Sequence, residues 1–393
     1  MHTRKIRIYP HGLQKRKCKA WCDTSRYIYN RTVDALKNPT GPISKYNLRS
    51  SLVSNVQHQW EKETPQGIRE SAVFDAYTAW SNGIKKLKET GKPFDLKYRT
   101  KKANCQVIKL PIDAIKNDLR LYPSILGAYT KLRMNSHEIH NVLFKNKCLK
   151  GKIVGQILEH EVQIQKTRTN KWYLLVPIEI TVRSSDNQGT PKVIAFDSGV
   201  RTFQTGYSPN GQVIKIGDGD ISQMRNYLLK TDKLISKISQ LRGRKKRNHN
   251  KALAHRYEKF KNLIKDCHRK TVKFIVDQYD LILLPKFDVS RMSQKSMRRI
   301  NSKSVRSMYG WSHYKFREML VNKAEERGKK VIHPSEEYTS KTCTNCGHVK
   351  DDLGGNKKYS CQKCGFRGDR DVSASRNIYL KYLGECCEVN AKR

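Results

Sequence analysis

The side chains best suited to chemistry cluster late in the chain. Cys343 and Cys346 form one C-x-x-C pair, Cys361 and Cys364 another, and a short polar loop with two adjacent glycines separates them. Two such knuckles can present four sulfurs to one tetrahedral Zn²⁺, and the loop is about as long as in a zinc ribbon. Four thiolates close the coordination shell, so the expected zinc is structural, not catalytic. Glu336 and Glu337 precede these cysteines and Asp371 follows them. Carboxylates are hard oxygen ligands suited to Mg²⁺. The order acid, ribbon, acid predicts an active site with a zinc module inserted into it. The other cysteines are scattered, and the adjacent Cys386 and Cys387 are not expected to join the zinc site.

Charge narrows the partners. Lys and Arg number 79 against 35 Asp and Glu, a formal charge of +44 on 393 residues. So much like charge repels itself unless a polyanion neutralises it. The excess runs along the whole chain, which predicts an extended surface for a long nucleic acid rather than a pocket for a small acid. Two runs carry it most densely: Arg242, Arg244, Lys245, Lys246 and Arg247 in one, and 291–306, with Arg298 and Arg299, in the other. Both are too poor in apolar side chains to pack a core, so phosphate contacts are expected of them. Trp21, Tyr27 and Tyr29 could stack bases, but their helical spacing favours a core role. The opening MHTRKIRIYP is basic and lacks the apolar stretch of a signal peptide. No apolar run approaches the ~18 residues of a membrane span. The expectation is an intracellular chain with reduced thiols, nuclear if the host is eukaryotic.

The elements that must hold these residues can be sketched from periodicity. Lys5–Tyr9 reads as a strand ended by Pro10, and Gln14–Lys37 as a helix. Thr64 and Pro65 resemble an N-cap and first-turn proline of a helix reaching Lys88, with Ile68, Ala72, Ala76 and Trp80 at four-residue steps. The pattern turns to β from about 105 to 183, including a hairpin about TRTN. SSDNQGT (184–190) reads as a linker. Beyond it, VIAFDSGVRTFQTGYSPNGQVIKIG predicts three successive strands with a turn at Asn210–Gly211 and one acid, Asp197, on the first. Then come a long basic helical stretch, Ile221–Tyr279, interrupted by RGRKKRNHNK; a strand LILLP; a helix Trp311–Arg327; a strand KKVIH; and a last helix from about Asp371 through Leu383. Three hairpin-linked strands followed by alternating helices and strands is the order of an RNase H-like α/β fold. That fold gathers distant carboxylates around two divalent ions for phosphodiester cleavage.

Several segments carry a resemblance: KIRIYP (5–10), SRYIYN (25–30), IAFDSGVRTF (194–203), LPKFDVSRM (284–292), YTSKTCTNCGH (338–348) and YSCQKCGFRGDRDVSASRNI (359–378). Together they resemble the transposon-encoded TnpB nucleases and, more closely, the eukaryotic and viral relatives called Fanzor. They cover both ends of the chain and its C-terminal half; residues from about 40 to 150 carry little similarity. The resemblance implies a multidomain α/β protein with a RuvC-like RNase H fold. It divides the chain into a wedge-type β-barrel (1–10 and 101–183), an inserted helical recognition domain (11–100), a linker (184–190), a nuclease domain (191–337 and 369–393) and an inserted zinc ribbon (338–368).

The same resemblance implies an RNA-guided DNA endonuclease. Its guide RNA would derive from the transposon end, its target would be double-stranded DNA beside a short flanking motif, and one monomer would sit on one guide. Asp197, Glu336 and Asp371 would be the catalytic acids and hold two Mg²⁺. In TnpB the second acid is a glutamate after the apolar strand, where this chain has Pro285; Asp288 comes three residues too late. Fanzor proteins use a glutamate just before the TS-x-x-C motif. In an extended segment Glu336 and Glu337 would point to opposite sides, and the pattern E-x-Y-T-S selects Glu336. Ser373 stands where the motif D-R-D-x-N-A has asparagine, and Asp369 is expected to serve the helix start. The competing class is an inactive RNA- or DNA-binding regulator on the same scaffold. A transposase of RNase H type would need a separate end-binding domain, which this reading does not find.

Overall fold

The computed structural model describes residues 2–39, 41–116, 120–126, 133, 160–178, 189–294, 301–351 and 356–391. The chain forms two compact units, Met1–Ile180 and Thr181–Arg393. Most of the expected linker, 184–188, lies outside the described residues.

In the first unit, strand β1 (His2–Ile8) leads into helix α1 (Gly12–Lys37), and helix α2 (Gln66–Thr90) follows after short helical turns. The chain then returns to strand β2 (Cys105–Leu110), the two-residue pair β3 (Ile115–Lys116) and β4 (Arg120–Leu121), and the hairpin β5 (Val162–Thr167) and β6 (Trp172–Ile178). The main sheet is antiparallel in the order β1-β6-β5-β2. Alternation sends Ile6, Ile8, Ile108, Ile164 and Leu174 to one buried face. Trp21 and Cys22 of α1 join that core, while Ile28, Val33 and Leu36, further along α1, pack with Ala72 and Ala76 of α2. Trp21 and Tyr29 are thus core residues; only Tyr27 keeps a partly exposed ring, beside His58 and Trp60. The start of α2 differs by one position from the expectation. Pro65 is the N-cap, and the Thr64 hydroxyl is buried, donating to Thr24 Oγ1 at 2.8 Å.

The second unit holds the candidate site. Strands β7 (Val193–Ser198), β8 (Gln204–Tyr207) and β9 (Val213–Ile216) form an antiparallel meander, with the turn where Asn210–Gly211 places it. Helices α3 (Asp220–Gln240) and α4 (Gly243–Gln278) lead to β10 (Leu281–Leu283). Helices α5 (Ser302–Trp311) and α6 (His313–Glu326) precede β11 (Lys330–Ile332). The pair β12 (Lys358–Ser360) and β13 (Arg367–Asp369) ends in helix α7 (Arg370–Ala391). The five-stranded sheet runs β11-β10-β7-β8-β9, with β10 parallel to both β7 and β11. Ile194, Phe196 and Ile282 face a core with Val272 and Ile275 of α4 and Phe316 and Leu320 of α6. Ala195 and Leu283 face the opposite side and pack with Ile378 of α7. Helices therefore cover both faces of the sheet.

Two expected helices are subdivided. Leu241 and Arg242 are extended and Gly243 takes φ 58°, so the break precedes the basic run. Arg244–Arg247 continue as the first turns of α4 rather than interrupting a helix. The helix expected from Trp311 begins at His313, because Ser312 lies in the left-handed region (φ 53°). The break leaves Trp311 at the end of α5, where its indole Nε1 donates to the Val200 carbonyl at 3.0 Å and its carbonyl accepts from His268 Nε2 at 2.9 Å.

Candidate active site

The ribbon is built from two matching turns. The Cys343 N–H donates to the His348 carbonyl at 2.8 Å, and the Cys361 N–H to the Phe366 carbonyl at 2.9 Å. Each turn passes through a left-handed glycine, Gly347 (φ 74°) and Gly365 (φ 71°), whose N–H returns to the first cysteine carbonyl. A side chain would strain that backbone, which is why C-x-x-C-G is the local rule. The antiparallel pair β12–β13 carries the second knuckle, and buried Tyr359 ties it to the first by donating to the Lys341 carbonyl at 3.0 Å.

The four ligand sulfurs lie within 4.8 Å of one another. Cys343 and Cys364 Sγ are 3.7 Å apart, Cys346 and Cys361 Sγ 3.6 Å. Tetrahedral zinc with Zn–S bonds of ~2.3 Å requires sulfurs ~3.8 Å apart. The cluster fits a structural zinc ion, as the spacing predicts.

The acids come together through the sheet. Asp197 ends β7, opposite Thr205 of β8. Odd-numbered β7 residues face α7, so Asp197 lies on that side, one step beyond Ala195. Asp371 occupies the first turn of α7, two helical turns before Ile378, which packs against Ala195. Glu336 follows β11 and is partly buried, whereas Glu337 is exposed. Burial pushes the Asp197 carboxyl up to about 8; the charge of Asp371 and then that of Glu336 add to the rise, and Arg370 opposes it. Burial also raises Glu336. The three acids therefore share one electrostatic field at the carboxyl ends of the parallel strands.

Neighbouring groups set their positions. The Asp369 Oδ1 accepts from the Asp371 and Val372 N–H groups at 2.9 and 3.3 Å, and its Oδ2 pairs with Lys215 Nζ at 2.7 Å. Burial works against this charge, but the Lys215 and backbone hydrogen bonds outweigh it and hold the carboxyl below its ordinary value. Asp369, not Asp371, caps the helix side-on, which leaves Asp371 to Arg370 Nε at 3.5 Å. Ser373 fills the usual asparagine place and donates its hydroxyl to the Asp369 carbonyl at 2.9 Å. Pro285 is buried after β10. Asp288 caps a helical turn by accepting from Ser290 and Arg291 N–H, so it supplies no substitute acid.

Arg242, Arg244, Lys245, Lys246 and Arg247 are all exposed at the start of α4. Arg298 and Arg299 lie outside the described residues. Among the described residues no helix is long and apolar enough to cross a membrane.

Comparisons with known proteins relate the chain to TnpB-like and Cas12f1-like proteins. Residues 313–378 match the family model of the Cas12f1-like TNB domain, and residues 1–38 match a helix-turn-helix model, where the structure has β1 and α1. The chain is 25% identical to the TnpB-like protein L79 of Acanthamoeba polyphaga mimivirus over 398 residues, covering 96% of this chain and 72% of the relative. It is 29% identical over 404 residues to A625R of Paramecium bursaria Chlorella virus 1, named as a transposase, covering 98% and 87%. The chain is thus similar to viral TnpB-like proteins along nearly its whole length. It is also 26% identical over 312 residues to the CRISPR-associated endodeoxyribonuclease Cas12f1 of Sulfoacidibacillus thermotolerans, covering 72% of this chain and 71% of the relative. The mini-RNA-guided endonuclease CRISPR-Cas_phi3 shares the fold at a TM-score of 0.53, with 10% identity and coverage of 97% and 92%.

Sequence reasoning missed three supporting residues, Asn377, Thr339 and Lys215. Asn377 is buried within α7, and its Nδ2 donates to the carbonyls of Thr339 and Thr342 at 2.8 and 2.7 Å. Thr339 in turn donates through both N–H and hydroxyl to the Glu336 carbonyl, at 3.3 and 2.8 Å. A mid-helix asparagine is a poor helix former whose amide seeks a partner, and that was the signal available. Lys215, at the Asp369 carboxylate, offered no comparable signal.

Proposed function

We propose that this chain is an RNA-guided DNA endonuclease that cuts double-stranded DNA beside a short flanking motif. The observation that carries this reading is the convergence of Asp197, Glu336 and Asp371 from three separate elements. The strand order β11-β10-β7-β8-β9, with helices on both faces, supports a RuvC-like RNase H fold for 191–337 and 369–393. On the same reading 338–368 is the ribbon, 1–10 with 101–183 the wedge-type barrel, 11–100 the recognition domain and 184–190 the linker.

Asp197, Glu336 and Asp371 would hold two Mg²⁺, which supply water activation and stabilisation of the leaving oxygen in phosphodiester cleavage. The donor set suits hard divalent ions: three carboxylates share one field, opposed at Asp197 by the Arg370 guanidinium. Burial first, and then repulsion from Asp371 and Glu336, leave Asp197 protonated at neutral pH, so cation binding there releases a proton. Asp369 and Lys215 fix the start of α7, and with it Asp371. Asn377 and Thr339 fix the Glu336 backbone. The guide would read sequence by pairing, while exposed Arg242–Arg247, and Arg298 with Arg299, would hold phosphates.

The test is to purify the chain with its RNA and offer a plasmid matching that RNA in Mg²⁺. A co-purifying small RNA and a cut plasmid are expected. Asp197→Ala, Glu336→Ala and Asp371→Ala should bind the target but cut it roughly a thousandfold more slowly. Glu337→Ala should retain most activity. Guided binding without any cutting by the unaltered chain would make it a regulator instead. Cutting that survives Asp197→Ala would move the active site elsewhere.

A further inference from the structure

Tyr338 lies two residues after Glu336 and has φ 63°, in the left-handed region. An aromatic side chain rarely adopts that backbone conformation, which glycine or asparagine enters far more readily. The conformation is firmly held. The Tyr338 carbonyl accepts from the Lys341 N–H at 2.9 Å, the Thr342 N–H at 3.0 Å and the Thr342 hydroxyl at 2.9 Å. On either side, Lys381 Nζ reaches the Ser335 hydroxyl and the Glu337 carbonyl, and Asn377 binds the carbonyls of Thr339 and Thr342. The turn that carries Glu336 and Tyr338 is thus tied to α7 by four hydrogen bonds.

The ring gains nothing inside the protein for this strain. It is 65% exposed, and among the described residues it makes no ring contact and its hydroxyl no hydrogen bond. Backbone geometry alone would be met better by glycine at this position. A strained residue whose side chain has no internal partner is best explained by an external one. Its chemistry is that of a flat π-face beside a cluster of acids, on a chain of net charge +44. An unpaired nucleobase is the ligand that such a face takes without regard to sequence. We infer that Tyr338 is a positioning residue that stacks on a base of the single DNA strand being presented to Asp197, Glu336 and Asp371. This rests on the nuclease reading above and adds a residue that touches the substrate.

The experiment uses the full chain with its co-purified RNA and single-stranded DNA matching the guide. One oligonucleotide series carries an abasic site stepped past the scissile phosphate; a second carries 2-aminopurine at the same steps. With the unaltered protein, one abasic position should slow cutting about tenfold. Tyr338→Ala and Tyr338→Gly should each be about tenfold slower on intact DNA and insensitive to that abasic step, while Tyr338→Phe keeps both the rate and the sensitivity. Tyr338→Gly should melt no lower than the unaltered chain, because it removes the backbone strain; this separates loss of the ring from loss of the fold. Fluorescence quenching of 2-aminopurine, measured with Asp197→Ala, should occur at the same step and vanish when Tyr338→Ala is added. Quenching that depends on Tyr338 without cutting by the unaltered protein would keep the stacking role and reject the nuclease. Cutting and an abasic profile unchanged by Tyr338→Ala would keep the nuclease and overturn the stacking role.

Discussion

The four cysteines and the three carboxylates are both gatherings of like groups, yet they are assembled in opposite ways. Cys343 and Cys364 are 21 positions apart and meet through two short turns and one small hairpin. Asp197, Glu336 and Asp371 meet only because β7 and β11 flank β10 in one sheet and α7 crosses its face. The thiols reach the sulfur separations zinc requires from local geometry alone. The carboxylates are held by the rest of the unit against burial and against one another, and both raise Asp197, burial the more. A locally closed site is a folding device, and a site closed by the sheet can keep the strain that chemistry uses.

The largest effect should come from breaking the local cluster. Cys361→Ser with Cys364→Ser should take the zinc content from one ion per chain to none, and the ribbon should become a protease-sensitive segment. Structural zinc contributes on the order of 10 kcal/mol to such modules. Elemental analysis and limited proteolysis check both; retained zinc would reject the site. Changing Cys386 and Cys387 should leave the metal content alone.

The distributed cluster should fail more gradually. Asn377→Ala leaves the Thr339 and Thr342 carbonyls without the amide that bridges them, at about 1–3 kcal/mol for the buried acceptors. Cutting should fall more than melting temperature implies, because Glu336 loses its anchor. Asn377→Asp should also be impaired, since a carboxylate cannot donate to carbonyls. Equal losses of stability and activity would make Asn377 a core residue only.

A pH series sharpens the contrast further. The Asp197 carboxyl is raised from 3.8 to about 8, so between those values the folded chain keeps a proton that the unfolded chain has lost. Metal-free protein should therefore lose stability as pH rises from about 4 to about 8. Asp197→Asn should remove that slope, matching the unaltered chain at low pH and melting higher than it at pH 8. Added Mg²⁺ should stabilise the unaltered chain more at pH 8 than at pH 6. Calorimetry in chelator and in Mg²⁺ decides; a slope that survives Asp197→Asn would assign the proton elsewhere.

The smallest and most diffuse effect belongs to the exposed run at the start of α4. Neutralising Arg244 and Arg247 should weaken RNA binding at every sequence and lower the magnitude of the salt slope by about 2. A change in target preference would contradict a backbone-contact role.

Much of the framework was legible before any coordinates. Asp197 was placed at the end of the first of three strands because alternating apolar residues and Asn210–Gly211 announce a meander. The breaks at Gly243 and Ser312 were misplaced, since both rest on left-handed backbone that neighbouring residues do not advertise. Thr64 looked like a cap by residue type, but its hydroxyl found Thr24, which only the packing of α1 against the loop could supply.

The sequence by itself determined the thiol cluster, the charge that demands a polyanion and the periodicities of strands and helices. Each depends on neighbours a few positions apart, where covalent geometry leaves few choices. The tertiary structure alone decided which of two adjacent glutamates turns toward Asp197, which aspartate caps α7 and which is left facing the acids. It alone showed that Asn377 holds the Glu336 turn from beneath and that Tyr338 is strained and exposed. Those outcomes depend on contacts between segments far apart in the chain, and such contacts exist only once the sheet has brought the segments together.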